Sequence, residues 1–338
     1  MPVSIRFEQV LQGLRALATQ NWRRLKVELQ TYAALRGRSS VRLADFLYDQ
    51  PLELKDIYRS GTGQGRSGWT ALKRDAGLII AEPRPEEDYF SRRFGDLPHV
   101  GDPRRLDLMA AIGANQAQAE VLDAQRVLGL QMLAYLIDGR HEQAAGHQAF
   151  AERLKRHPAI ASELVELSGL LQARGTLGAK VFPGLEDTPF SLHAAYGARE
   201  VLTAVGWLTA TRRAPFQSGV LPLSSRKTEL LFVTLDESEG YHDRISYNDY
   251  AISAERFHWQ TQNSAAPDTT GGRRYLESST NGWQFKLFVW PHKGDAYRAC
   301  GRVMLESAEG DRPMSIVWKL ETPQPARLFR EYGVLRGV

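Results

Sequence analysis

The chain has 338 residues, 43% hydrophobic and 24% charged, the composition of a globular protein with length for two or three domains. It has no run of about 18 apolar residues for a membrane span, no apolar signal core in the opening MPVSIRFEQVLQGLRAL, and a single cysteine, Cys300, which excludes an internal disulfide and a cysteine-based zinc site. A cytoplasmic protein is the expectation, with a net charge of +4 spread unevenly: residues 1–80 carry 13 Lys/Arg against 7 Asp/Glu, and residues 81–210 carry 13 against 17.

Residues 4–36 read as helix, with Ile5, Val10, Leu14, Leu17, Leu25 and Leu29 near helical spacing. SVRLADFLYDQPLELKDIYRS and SGWTALKRDAGL then predict three short helices, about 41–49, 52–58 and 67–76, with Ser67 capping the third. Three short helices with a basic last one match the layout of a helix-turn-helix, whose recognition helix enters the major groove. In that reading Arg66, Lys73 and Arg74 face DNA while Trp69 packs. A helical subdomain that contacts no DNA is the other reading, because solvated basic faces are common. GQGRSG, Gly63 to Gly68, fits G-x-G-x-x-G but follows no apolar strand, so it reads as a turn.

The acidic, proline-rich stretch AEPRPEEDYF at residues 81–90 marks a boundary. From Arg104 to Arg174 the pattern is helical again, and Pro158 stands where a helix starts whose apolar face is Ile160, Leu164, Leu167 and Leu171. A helical coupling domain over 81–210 follows. Beyond residue 211 the period changes. TELLFVTLD, WQFKLFVW, YRACGRVMLE and MSIVWKLE are short runs rich in β-branched and aromatic residues, separated by Gly and Pro clusters. The predicted fold class is therefore α+β and multidomain. An all-helical N-terminal region is followed by a small C-terminal β-barrel over residues 211–338.

No histidine spacing fits a metal site and no hydrolase signature is present, so no cofactor and no catalytic activity are expected. One alternative is a metal-dependent nuclease, on the pattern Asp268, Glu277 and then Lys286, with Asp268 as metal ligand and Lys286 stabilising developing charge. Against it, PDTTGG reads as a turn and Lys286 as a solvent-facing strand residue. The segment SYNDYAISAERFHWQTQNSAAP, residues 246–267, combines aromatic rings with amides and a carboxylate. Its rings fit a core. Its polar groups fit a site for a flipped nucleobase, where rings sandwich the base and polar groups read its edge. Arg273 and Arg274 are then placed to hold backbone phosphates.

TELLFVTLDESEG, SYNDYAIS, FHWQTQNS, GRRYLE and EGDRPMSIVWKLETPQP, in this order, resemble one bacterial family. It is the C-terminal domain of unknown function attached to superfamily 2 helicases of restriction and phage-defence systems, which also carry a phospholipase-D-like nuclease. LADFLYDQPLELKDIYRSG and SGWTALKRDAGL resemble the segment that follows the helicase core in those proteins. The resemblance implies a barrel similar to SRA and PUA-like domains. It implies recognition of double-stranded DNA, in some members bearing 5-methylcytosine as in type IV restriction, by base flipping. The motif positions carry the pocket over to Tyr247, Asp249, Tyr250, His258, Trp259, Gln260 and Gln262, while Ser315 and Trp318 fall in the terminal motif. Nuclease and motor motifs are absent from this chain, so the implied partner is a helicase–nuclease portion in cis or in trans. Sequence-specific DNA binding without flipping, and a scaffold that docks only proteins, are the competing readings.

Overall fold

The computed structural model describes residues 21–37, 41–58, 66–115, 122–138, 146–174, 178, 180–209, 212, 219–235, 249–291 and 295–334. The chain divides into two compact units, Met1–Thr176 and Leu177–Val338.

Apolar residues at helical spacing draw the first unit into α1 (21–36), α2 (Leu43–Asp49), α3 (Leu54–Ile57), α4 (Trp69–Asp75), α5 (Glu87–Arg93), α6 (Pro103–Gly113), α7 (Ala124–Asp138), α8 (Gly146–Lys155) and α9 (Pro158–Ala173). Prolines open α6 and α9, where a missing N–H costs nothing, and the Asp102 side chain accepts from Arg104 N at the start of α6. The predicted face of α9 is buried: Ile160, Leu164 and Leu167 have no exposure. This helix packs against α2, α4, α5, α6 and α8. The stretch expected as a boundary at 81–90 leads directly into α5, whose Phe90 lies in one core with Trp22 and Leu171. Arg93 on α5 donates from Nε to Ile137 O and from Nη2 to Leu136 O, 2.7 Å each, satisfying carbonyls at the end of α7.

The second unit consists of β1 (Ala195–Tyr196), α10 (Ala198–Ala204), β2 (Val220–Leu223), β3 (Thr228–Thr234), β4 (Tyr250–Ala251), β5 (Arg256–Gln260), α11 (Thr270–Leu276), β6 (Gln284–Trp290), β7 (Tyr297–Gly310), β8 (Met314–Leu320) and α12 (Ala326–Val334). One mixed sheet runs β2-β3-β6-β7-β8-β5-β4, with β1 also on β7. Only the β3–β6 pair is parallel among these strands. Register shifts at Leu287/Phe288 and Leu305/Ser307 bend the long β7, and the sheet curls into a half-barrel. Among the described residues β2 and β4 are its two unjoined ends, so the curl stops short of the closed barrel expected from the strand pattern.

The division between the units falls at 176/177, earlier than the change of period near 211. The reason is aromatic packing. Phe182 stacks on Phe288 (5.6 Å between ring centroids, 12° between planes), Phe190 meets Tyr196 edge-on at 4.9 Å, and β1 adds to β7. This segment covers the sheet face carrying Leu230, Phe232, Lys286 and Phe288. The opposite face buries Leu231, Phe257, Trp259, Phe285, Leu287 and Trp318 with Tyr275 of α11 and Tyr332 of α12. The PDTTGG turn is in part a helix start: Thr269 Oγ1 accepts from Gly272 N at 3.0 Å and opens α11.

Candidate nucleic-acid interface

Strand β5 sorts the expected pocket residues by alternation. Phe257 and Trp259 point into the core: Trp259 is 4% exposed and meets Tyr275 edge-on at 5.3 Å, with Trp318 at 6.2 Å. His258 and Gln260 take the other face and are half-buried. Tyr250 on β4 stands opposite His258 in the antiparallel register, and the two rings stack at 4.8 Å and 23°. Asp249 Oδ1 accepts from Gln260 N at 2.8 Å, fixing the carboxylate beside that stack. Across the neighbouring ladder His258 is in register with Val317 and Gln260 with Ser315, both half-buried. Asp249, Tyr250, His258, Gln260 and Ser315 therefore form one polar and aromatic patch, while Trp259 and Trp318 belong to the core behind it. Gln262 has left the strand; a Cβ at Gly219 would lie 3.7 Å from its Nε2, because the curl brings this stretch near the start of β2. Tyr247 lies outside the described residues.

Of the two arginines expected on phosphates, Arg274 is held inside the unit. Its Nη1 donates to Glu229 Oε2 at 2.5 Å, and its guanidinium lies 4.2 Å from the Trp283 ring centroid. Glu229 has no exposure; Tyr275 OH donates to its other oxygen at 2.8 Å. Burial, and then the neighbouring carboxylate charge, push the Tyr275 hydroxyl far above the usual phenol range. Arg273 is exposed and donates to Asp268 O at 3.3 Å.

In the first unit, α4 is anchored where a recognition helix would present itself. Glu163 on α9 has no exposure and accepts from the backbone N of Trp69 (2.8 Å) and of Thr70 (2.9 Å). It thus supplies the carboxylate at a helix start that Ser67 was expected to cap. The residue before α4 is Gly68 at φ 95°, and Ser67 Oγ donates to Ile57 O instead. One turn on, Glu166 accepts from Leu43 N (2.7 Å), Trp69 Nε1 (3.0 Å) and Lys73 Nζ (3.1 Å). Arg74 makes a two-point ion pair with Glu87 and also donates to Ala81 O. Lys73 and Arg74 are thus internal ties, while Arg66 is half exposed beside Asp88 at 3.4 Å.

The nuclease residues do not converge. Asp268 is exposed and pairs with Arg312 at 3.2 Å. Lys286 is a correction to the sequence reading, since it has no exposure: Nζ donates to Pro183 O at 2.7 Å and to Gln284 Oε1 at 2.9 Å. Burial, and then the charge of Arg302, lower its pKa to about 8. Among the described residues no group of three His, Cys, Asp or Glu is placed to hold a metal ion. Sequence reasoning missed Glu163, Glu166 and Glu229. The available signal was a carboxylate inside an apolar stripe, as in ASELVELSGLL and TELLFVT.

A half-barrel sheet with a polar, aromatic patch on one face defines the second unit. Residues 190–332, nearly all of that unit, match the family model described as Domain of unknown function (DUF3427). No curated protein matches the chain. Among the described residues no helix is long and apolar enough to cross a membrane.

Proposed function

We propose that the C-terminal unit is a DNA reader that stacks an extruded base on the Tyr250–His258 pair, with Asp249 and Gln260 at the edge of that base. The observation that carries this reading is the near-parallel ring pair on the sheet face away from the core, fixed beside a carboxylate and an amide. Aromatic faces accept any base, and stacking is worth about 1–3 kcal/mol per base. A carboxylate and an amide together match the amino donor and the acceptors on the edge of a cytosine. The family resemblance supports a restriction or defence setting, with double-stranded DNA as ligand, cytosine modification as the readout, and a helicase–nuclease portion as the machine served. The helical unit would couple the two.

Fluorescence anisotropy of the whole chain with unmodified, 5-methylcytosine and 5-hydroxymethylcytosine duplexes across a salt series tests this. Tyr250→Ala and His258→Ala are each expected to weaken binding by about 5-fold or more at an unchanged melting temperature. Wild-type affinity in both variants would sink the stacking role. Salt-independent or absent binding by the wild type would sink DNA recognition itself.

A further inference from the structure

Away from β4 and β5, residues Lys180, His193 and Arg298 are brought together by backbone pairing. Leu192 N donates to Lys180 O at 2.8 Å, His193 N donates to Ala299 O at 2.7 Å, and Ala195 is in register with Arg298. His193 is held at φ 66°, a left-handed conformation that is strained for a residue with a Cβ and that collects at functional positions. Its ring is buried at 3% exposure, and Nδ1 has no hydrogen-bond partner. The ring makes a hydrogen bond with the Pro323 carbonyl. Next in sequence, Gln324 is equally buried, with Oε1 unpartnered and its Nε2 only in a 4.0 Å contact with Cys300 Sγ. Arg298 is half-buried, Lys180 is exposed, and neither has an ion-pair partner among the described residues. By contrast Arg226, Arg256, Arg274, Arg302 and Arg312 each face a carboxylate.

Buried polar groups without partners are rare, and like charges set beside a buried ring are unfavourable unless something of opposite sign joins them. We propose that Lys180, His193, Arg298 and Gln324 form a binding site for a phosphate-type oxyanion. The two cations supply charge, and the imidazole and the Gln324 amide supply directional hydrogen bonds, the amide after turning its Nε2 toward the ligand. A second consequence concerns protons. Burial, then the charges of Lys180 and Arg298, hold the imidazole well below its usual range, at about 4, against the opposing Pro323 carbonyl. An anion among these groups offsets both charges, so binding is accompanied by proton uptake at His193 and strengthens as pH falls. The site does not rest on the DNA-reading proposal and stands or falls separately.

Isothermal titration calorimetry of the full chain provides the test, with inorganic phosphate and with an oligonucleotide bearing or lacking a 5′-phosphate. Sulfate, whose charge is constant over the range, carries the comparison between pH 5.5 and pH 7.5. Saturable binding is expected, about ten-fold weaker in Arg298→Ala and in Lys180→Ala, with the melting temperature of the exposed Lys180→Ala variant unchanged. His193→Asn tolerates the left-handed turn and removes the titrating ring, so it should abolish the pH dependence. Binding of the oligonucleotide alone, still lost in Arg298→Ala, would keep the site and assign it to nucleic-acid phosphate. Absence of saturable binding, or equal binding by wild type and both alanine variants, overturns the proposal.

Discussion

Lys286 puts a charge on a sheet face that carries Phe232 and Phe288 and is covered by Phe182 and Phe190. A Cβ at Gly184, which has φ 75°, would collide with its Nζ, so the 183–184 turn closes directly over the ammonium. Its folded pKa of about 8 lies below the ordinary 10.5. The unfolded chain therefore binds more protons between these values, and stability contributed by this group rises as pH goes from 8 to 10.5. The whole difference corresponds to about 3 kcal/mol. Urea unfolding at pH 7.5 and pH 10 should show this rise in wild type relative to Lys286→Met; parallel pH profiles would refute it. In the sequence, QFKLFVW invites the opposite reading. A lysine between apolar neighbours looks solvent-facing by period two, and the covering segment around Pro183 is about a hundred residues away. Trp259 gives the converse case. Its neighbours His258 and Gln260 suggested a site, yet alternation sends it to the core with Tyr275 and Trp318. Trp259→Ala is expected to cost about 3–5 kcal/mol of stability, whereas under the proposed function Tyr250→Ala is expected to weaken DNA binding instead. A Trp259→Ala variant with a wild-type melting temperature would contradict that division.

Among the elements, α4 illustrates how a basic helix can be structural. Its first two backbone donors end on the buried carboxylate of Glu163, its indole and ammonium on Glu166, and its Arg74 on Glu87. At Gly68 an added Cβ would run into Ser91, with its carbonyl oxygen 2.6 Å away, so the approach of α4 to α5 requires glycine on both conformational and steric grounds. Glu163→Ala leaves two buried N–H groups without partners and should lower stability by about 2–4 kcal/mol by chemical denaturation. Arg74→Ala should likewise reduce stability while leaving the salt dependence of any DNA binding as in wild type; a shallower salt slope would restore the helix-turn-helix reading. Three short helices were correctly placed by local pattern, as were β3, β6, β7 and β8. What local pattern could not supply was the direction each basic side chain takes. That is settled by carboxylates on other helices: Glu166 of α9, some ninety residues on, takes Lys73, and Glu87 at the start of α5 takes Arg74.

At the scale of the whole molecule, the change from helical to alternating period near residue 211 reports a change of fold only approximately. Residues 180–204 carry no long β run, yet they finish the second unit by covering one sheet face and adding β1. Each unit has a core of its own: the helical one runs from Trp22 to Leu171, and the sheet core from Leu231 to Tyr332. A fragment beginning at residue 178 is therefore expected to fold by itself, with a cooperative melting transition and the DNA affinity of the full chain. A fragment beginning at residue 211 loses Phe182, Phe190 and Tyr196, which pack on Phe288 and on one another. It should expose that face and aggregate or melt without cooperativity. Under the proposed DNA-reading function, the same unit would have a ceiling on discrimination between modified and plain cytosine. One buried methyl is worth about 0.8 kcal/mol, so the preference of the 178–338 fragment should be about ten-fold or less. A much larger preference would require a close-fitted cavity for the methyl, which stacking on a ring pair at a sheet face does not supply. A competition titration of matched duplexes against this fragment decides between the two.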